Sequence, residues 1–257
     1  MKEIHMRNFP IHYAKGRKLF HIIVHMSDAP GSMSAILDGL GKRVNFIGMT
    51  SYSLSDGTAM LTAFAESLSP TETPERLKAV LVRLSANLEA DVREGVDGLL
   101  VDTFHTGIRV GDDDYILMRR EGLARVYDYI VKIFGTGGEV LLYEQGKALG
   151  KDNAQRRVKE LGVENVVSDS SYLGRALTAQ GWGVVESTTK PESKEVRITV
   201  ADCFECSGAE RVRKGCDFYR GFWEGSAEVT RGKQPVVKEI ECRLRGSKAC
   251  VFQISTA

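Results

Sequence analysis

No apolar run in this sequence approaches the length of a membrane span, and the opening MKEIHMRNFP is no secretory signal. Charge of one sign is not in surplus either: 35 Lys and Arg stand against 34 Asp and Glu, a net of +1. Nothing at whole-chain level therefore directs the protein to a membrane or a nucleic acid, and no helix-turn-helix is apparent in either half. Cysteine is scarce, at 5 in 257 residues, and in a chain that is not exported this points to reduced thiols or metal rather than a disulfide framework. Those features predict a cytoplasmic protein. The glycine cluster Gly135, Gly137, Gly138 has neither GxGxxG nor Walker spacing, which excludes a nucleotide loop. No catalytic triad or activated-nucleophile motif is present. All 5 histidines lie at or before His105, away from the cysteines, so a His-assisted thiolate is not expected among them. These absences lean away from an enzyme.

What is there is enough chain for two domains, with an ordinary balance of 42% hydrophobic and 27% charged residues. Residues 1–17 read as a basic arm or edge strand without chemistry. From Lys18 the pattern sharpens. A strand over Leu19 to Met26, a helix from Ser32 to Gly41 and a strand over Val44 to Leu54 come first. The turn Ser55-Asp56-Gly57 then joins the last to a hairpin partner, Ala59 to Leu68. A second helix opens at Thr73 with Pro74 in its first turn and runs to about Ala90, and strand-like sequence continues to about Val110. The order is βαββαβ, a ferredoxin-like arrangement, over residues 18–111. The acidic stretch Gly111 to Asp114 is expected to be a solvated boundary, since no EF-hand spacing follows it.

The remaining segment, 112–257, predicts an amphipathic helix from Ile116 to Phe134 and a second from Glu139. In the latter, Gly146 and Gly150 would let another backbone approach. A short helix follows over Leu173 to Gln180, then a strand from Trp182, a polar turn containing Pro191, and an alternating strand from Glu195 to Phe204. A helix from Ala209 to Thr230 carries Phe218, Tyr219, Phe222 and Trp223, with Gly221 and Gly225 four apart. Interior helix glycine costs about 1 kcal/mol against alanine, so a strand or a bound molecule is expected to come close there. The aromatic band suits either one wall of an apolar pocket or ordinary core.

Cys216 before that helix, a strand carrying Glu239, Glu241 and Cys242, and Cys250 after an Arg-Gly-Ser-Lys turn offer three thiols and a carboxylate, which suit one thiophilic ion, zinc above all. They equally suit small buried hydrophobes. Cys203 and Cys206 form a CxxC that competes as a source of ligands or as redox-sensitive thiols.

The pattern Cys216, Gly221, Gly225, Gly232, Pro235, Glu239, Glu241, Cys242, Gly246, Cys250, Phe252 resembles the 4-vinyl reductase domain, and LLYEQGKALG resembles its early helix. That family includes archaeal hydrocarbon-binding proteins and the sensor half of aromatic-responsive transcription activators. The resemblance implies an α/β domain with an antiparallel sheet packed on helices and a structural zinc on Cys216, Glu239, Cys242 and Cys250. It also implies a small hydrophobic or aromatic ligand near Phe218, Tyr219, Phe222 and Trp223. In the first half, Asp28-Ala29-Pro30-Gly31-Ser32-Met33 followed by Val44-Asn45-Phe46-Ile47 resembles an ACT domain, a ligand-sensing module. That likeness implies an effector loop at Asp28, Gly31, Ser32 and Asn45 and a homodimer. Glycine there allows close backbone approach, and free amides at a helix N-terminus suit a carboxylate.

The expectation is thus an α+β protein of two domains: a non-enzymatic sensor or carrier with structural zinc. The other readings are an accessory subunit of a reductase-type pathway, which would need a partner because no dinucleotide fingerprint is present, and an acyl-binding scaffold.

Overall fold

Alternate residues of one early strand bury against two helices, and this organises the first half of the chain. The computed structural model describes residues 11–84, 88–105, 107–110, 113–162, 170–190, 195–208, 210, 212–231 and 235–256, and the chain divides into two units, Met1–Ile116 and Leu117–Ala257. Most of the basic arm (residues 1–10), Gly111 and Asp112, the turn at 191–194, and Gly232 lie outside the described residues. Among the described residues no helix is long and apolar enough to cross a membrane.

In the first unit a short β1 (Ile11–Tyr13) precedes β2 (Leu19–Ser27), α1 (Ser32–Leu40), β3 (Val44–Ser53), β4 (Thr58–Ser67), α2 (Pro74–Leu84) and β5 (Glu89–Glu94). The strands form an antiparallel sheet in the order β3-β4-β2-β5. The βαββαβ order read from the sequence is present. Phe20, Ile22, Val24 and Met26 of β2 and Leu61, Ala63 and Ala65 of β4 share a core with Ile36, Leu40, Leu77 and Leu81 of the helices. This is the period-two and period-3.6 matching that lets a sheet face and helix stripes bury one another.

Helix α2 is shorter than its sequence pattern. Glu89 and Ala90, expected at its end, instead pair with His25 and Val24 of β2, because β5 must start there to bring Val92 opposite Ile22. Beyond β5, β6 (Leu99–Val101) pairs with β1, and β7 (Ile108–Val110) pairs with β8 (Asp113–Tyr115). The acidic stretch expected to be a solvated boundary thus contributes Asp113 and Asp114 to a small hairpin.

The second unit opens with α3 (Arg120–Phe134), which starts later than Ile116, and α4 (Thr136–Leu161). Gly135 separates them at φ 57, a left-handed conformation costly for any side chain, so one helical pattern ends and another begins. Then come α5 (Ser170–Ala179), β9 (Val184–Lys190), β10 (Glu195–Ala201), α6 (Asp217–Arg231), β11 (Pro235–Glu241) and β12 (Cys250–Thr256). The four strands form an antiparallel sheet in the order β11-β12-β10-β9. Val196, Ile198 and Val200, the alternating apolar set, share one core with Phe252, Ile254 and the aromatic residues of α6.

Helices α4 and α6 meet backbone to backbone. A Cβ on Gly146 would lie 1.9 Å from the carbonyl oxygen of Phe218, and one on Gly150 would lie 2.0 Å from that of Phe222. The relation is reciprocal: a Cβ on Gly221 would lie 1.9 Å from Tyr143 O, and one on Gly225 would lie 2.0 Å from Lys147 O. Gly221 and Gly225 therefore admit another helix, not the strand or bound molecule anticipated for them. Four glycines spaced by one turn remove the ridges that normally hold helices 8–10 Å apart. The backbone entropy they cost is offset by the close packing that the missing side chains allow.

Lys147 bridges the pair, with Nζ 3.0 Å from Glu224 Oε1 and 2.7 Å from Glu228 Oε1. Gly221→Ala is expected to destabilise the second unit by about 3 kcal/mol or prevent its folding, because backbone on both sides of the seam must move. Gly137→Ala, whose Cβ would meet nothing within 4 Å, should leave the urea midpoint almost unchanged. Equal midpoints for the two variants would contradict this account of the seam.

Candidate metal centre and adjoining cavity

Helix α6 begins at Asp217 rather than near Ala209 because a buried carboxylate waits for its N-terminus. Glu205, fully buried in the 3-10 turn Phe204–Cys206, accepts hydrogen bonds from the backbone N–H of Phe218 at 3.2 Å and Tyr219 at 3.0 Å. Such a group satisfies orphan donors and meets the positive end of the helix dipole. Residues 212–216 are thereby held outside the helix, and Arg213 is free to turn inward. Its Nη1 donates to Glu205 Oε1 at 2.9 Å and its Nε to Asp128 Oδ1 at 2.8 Å, while Asp128 Oδ2 accepts the backbone N–H of Glu210 at 2.8 Å. Burial pushes the Glu205 carboxyl up to about 8, opposed by the Arg213 charge and the two helix N–H groups. Burial also works against the Arg213 guanidinium, but its two carboxylate partners outweigh it and the charge is held.

This polar frame carries the thiols. Cys203 and Cys206 flank Glu205, Cys216 immediately precedes α6, Cys242 follows β11, and Cys250 opens β12. The β11–β12 pairing slips between Glu239 and Glu241, a bulge of the kind that re-aims side chains near sites. All 5 cysteines are free, and 4 of them are buried. Sγ separations are 3.3 Å for Cys206–Cys216, 3.5 Å for Cys206–Cys250, 3.6 Å for Cys216–Cys250, 3.8 Å for Cys216–Cys242 and 3.9 Å for Cys203–Cys216. Four thiolates at about 2.3 Å around a tetrahedral zinc stand roughly 3.8 Å apart, so the spacing suits that ion.

Two groupings have ligand atoms within 4.8 Å of one another: Cys203, Cys206, Cys216, Cys250, and Cys216, Glu239, Cys242, Cys250. The second is the set implied by the family resemblance, and the first takes in the competing CxxC. Glu239 is already engaged, accepting the Cys216 N–H at 3.1 Å and Arg245 Nη1 at 3.2 Å. Burial raises its carboxyl above the ordinary range. The crowded thiols share protons unequally. Cys250 is held far below the usual thiol value because Cys203, then Cys206, Cys216 and Cys242, donate toward it, while Cys206 and Cys216 are raised as donors.

The aromatic band divides. Phe218, Tyr219 and Phe222 pack into a solid cluster with Trp182 and Phe204, with Trp182–Phe222 centroids 5.1 Å apart and Phe204–Tyr219 centroids 5.4 Å apart. Trp223, in the same core with its ring 5.3 Å from that of Phe222 and 6.0 Å from that of Tyr219, also lines a cavity of about 90 Å³, together with Leu173, Val185, Ile198, Ala227, Ile254, Arg157 and Ser226. The Trp223 indole Nε1 is buried without a hydrogen-bond partner. Burial also lowers the pKa of Arg157, which donates from Nε to Asn153 O at 3.3 Å and from Nη2 to Ser226 Oγ at 3.4 Å.

Of the proposed effector loop, Asp28, Gly31 and Asn45 are exposed and Ser32 is half-buried, its N–H already bonded to Ala29 O at 3.2 Å. Sequence reasoning missed Glu205, Arg213 and Asp128. A glutamate between two cysteines was the one visible hint. Nothing linear marks the cavity wall from β9, β10 and β12.

The family model of the 4-vinyl reductase domain matches residues 196–256. The uncharacterized protein MJ1642 of Methanocaldococcus jannaschii is 31% identical over 124 residues, spanning 48% of this chain and 68% of that protein. Among solved structures, the phenol-responsive sensory domain of the transcription activator PoxR, with phenol, aligns over 89% of this chain and 91% of its own at 12% identity and TM-score 0.48. A vinyl-4-reductase family protein from Methanocaldococcus jannaschii aligns over 57% of this chain and 85% of its own at 23% identity and TM-score 0.37.

Arg213→Ala is expected to cost about 3–5 kcal/mol, since Glu205 and Asp128 would remain buried without their cation. Arg245→Ala, which removes a partly exposed partner of Glu239, should cost less than about 1 kcal/mol. Chemical denaturation of both variants checks the order, and a reversed order would show that the buried frame is not what holds α6.

Proposed function

This chain belongs to the family of MJ1642 and carries a 4-vinyl reductase domain at residues 196–256, and from that premise we propose that its second unit is a non-enzymatic receptor for a small apolar or aromatic molecule. The observation that carries the reading is the cavity beside α6. Its lining is mostly apolar, yet it includes Trp223, whose buried indole N–H has no partner, and Arg157, whose guanidinium is desolvated. Pockets that bind small molecules have this character, with an apolar lining and a few polar groups that orient the guest. The unpaired Trp223 donor and Arg157 favour a compact ring or chain bearing one oxygen acceptor over a pure hydrocarbon. An unpaired buried donor costs about 1–3 kcal/mol, which such a guest would recover.

The ion in this reading is zinc. Cys216 and Cys250, common to both groupings, are its ligands, and the shell is completed either by Cys242 and Glu239 or by Cys203 and Cys206. When bound, zinc supplies a structural cross-link and a closed shell, with no position for an attacking water. It would clamp the start of α6 to β12, leaving the far half of the same helix to line the cavity. The βαββαβ order and the loop from Asp28 to Met33 support reading the first unit as ACT-like.

Metal analysis of the full chain should find one zinc on the thiols. Cys250→Ser should lose it and lower the melting temperature, while Cys242→Ser and Cys206→Ser separate the two shells by which one retains the ion. Metal-free native thiols would refute the site. For the cavity, Ala227→Trp should abolish binding of a phenolic probe with zinc content unchanged, and Trp223→Phe should weaken it about five- to tenfold by deleting one hydrogen bond. Probe affinity indifferent to both changes would remove the cavity from the account.

A further inference from the structure

The sheet of the first unit holds a second constellation, unrelated to the thiols. His21 sits in β2 and, by strand alternation, points away from the helix-packed face that carries Phe20 and Ile22. It is nevertheless 0% exposed, with its ring 4.7 Å from both Phe64 and Phe104, centroid to centroid. Its Nε2 lies 2.8 Å from Thr62 Oγ1, and its Nδ1 is buried with no hydrogen-bond partner. Asp102 Oδ1 lies 3.8 Å from Nδ1.

Asp102, just beyond β6, has a buried side chain. Its Oδ1 accepts the backbone N–H of Phe104 and of His105, each at 3.0 Å, and its Oδ2 lies 2.8 Å from His105 Nδ1. One ligand atom from each of the three side chains lies within 4.8 Å of the other two.

A neutral imidazole has one N–H and one lone pair. If Nε2 donates to Thr62, the Nδ1 lone pair is left in a dry interior beside a carboxylate. If Nδ1 carries the proton, 3.8 Å is too long for a hydrogen bond, and a buried donor is wasted. A doubly protonated ring would still leave the Nδ1 N–H with no acceptor in hydrogen-bond reach, and a buried positive charge besides. One cation between the three groups resolves all of these conflicts. Bonds of about 2.0–2.2 Å to nitrogen and oxygen place neighbouring ligand atoms roughly 3–4 Å apart, and Asp102 Oδ1 stands 3.8 Å from His21 Nδ1 and 3.1 Å from His105 Nδ1. The surroundings also match what ligands require. Thr62 fixes the His21 tautomer, and two backbone N–H groups orient the carboxylate.

We propose that His21 Nδ1, His105 Nδ1 and an oxygen of Asp102 bind one borderline divalent transition-metal ion of the zinc class. Two imidazoles and a carboxylate leave a fourth position for water, unlike the closed thiol shell. The ion ties the middle of β2 to the segment after β6, so it orders the loop that covers this face of the sheet.

The test is a zinc titration of the chelator-stripped full chain, followed by the imidazole nitrogen resonances. This readout belongs to individual histidines, so zinc on the thiols does not move it. The Nδ1 signals of His21 and His105 should shift together and saturate at one equivalent beyond any taken by cysteine. Asp102→Asn and His105→Ala, the latter at a partly exposed position, should each raise the zinc concentration at the midpoint of the His21 shift about 10–100-fold. The proposal is overturned if neither ring nitrogen moves at saturating zinc, or if the His21 shift keeps its midpoint in both variants.

Discussion

The seam of glycines between α4 and α6 is the constraint on which the second unit depends. Bringing two helix backbones into direct contact fixes the axial position and the rotation of α6, because Gly146 and Gly150 must each face a particular carbonyl. With α6 so placed, its N-terminus brings Cys216, just before it, to the thiols, and its middle and later turns deliver Trp223 and Ala227 to the cavity wall. The sheet is then positioned by what α6 presents to it, with Tyr219 against Phe252 at 5.8 Å between centroids. A side chain at any of the four glycines would separate these features from one another.

The thiols need a second support. Cysteines at the ends of four segments would not converge without something that decides where each segment stops. Glu205 does this for α6, and Arg213 and Asp128 anchor Glu205 in turn. A buried triad of charges is poor evidence of net stability, since desolvation consumes most of the Coulombic gain. Its value here is positional. One carboxylate caps a helix and stands between two cysteines of the cluster, so the frame and the candidate centre are built from the same few residues. The histidine–aspartate group of the first unit follows a similar logic, with Asp102 ordering its own loop through two backbone N–H groups.

Much of the architecture could be read from residue order. The alternation along β2, the Pro74 helix start, the hairpin turn at Asp56-Gly57 and the stripes of α2 and α3 are local patterns, and each produced its element. Elements were misjudged where a distant group intervened. Helix α2 yielded Glu89 and Ala90 to the edge of β2, and α6 lost its expected first two turns to the cap from Glu205. The aromatic band suited either a pocket wall or ordinary core, and Phe218, Tyr219 and Phe222 pack in a core with Trp182 and Phe204. Helical spacing says which residues share a face, but it does not say whether that face meets side chains or space.

The sequence by itself determined most of the element types, because periodicity is a property of neighbours along the chain, while the candidate ligands Cys216, Glu239, Cys242 and Cys250 were what its family resemblance implied. The tertiary structure alone decided that Cys203 and Cys206 reach the same cluster. It likewise decided that Gly221 and Gly225 face another helix, that Trp223 is the aromatic residue beside open volume, and that His21 ends near Asp102 and His105. Those outcomes depend on distances between segments far apart in the chain, set by how closely backbones can approach and by which buried charges find partners.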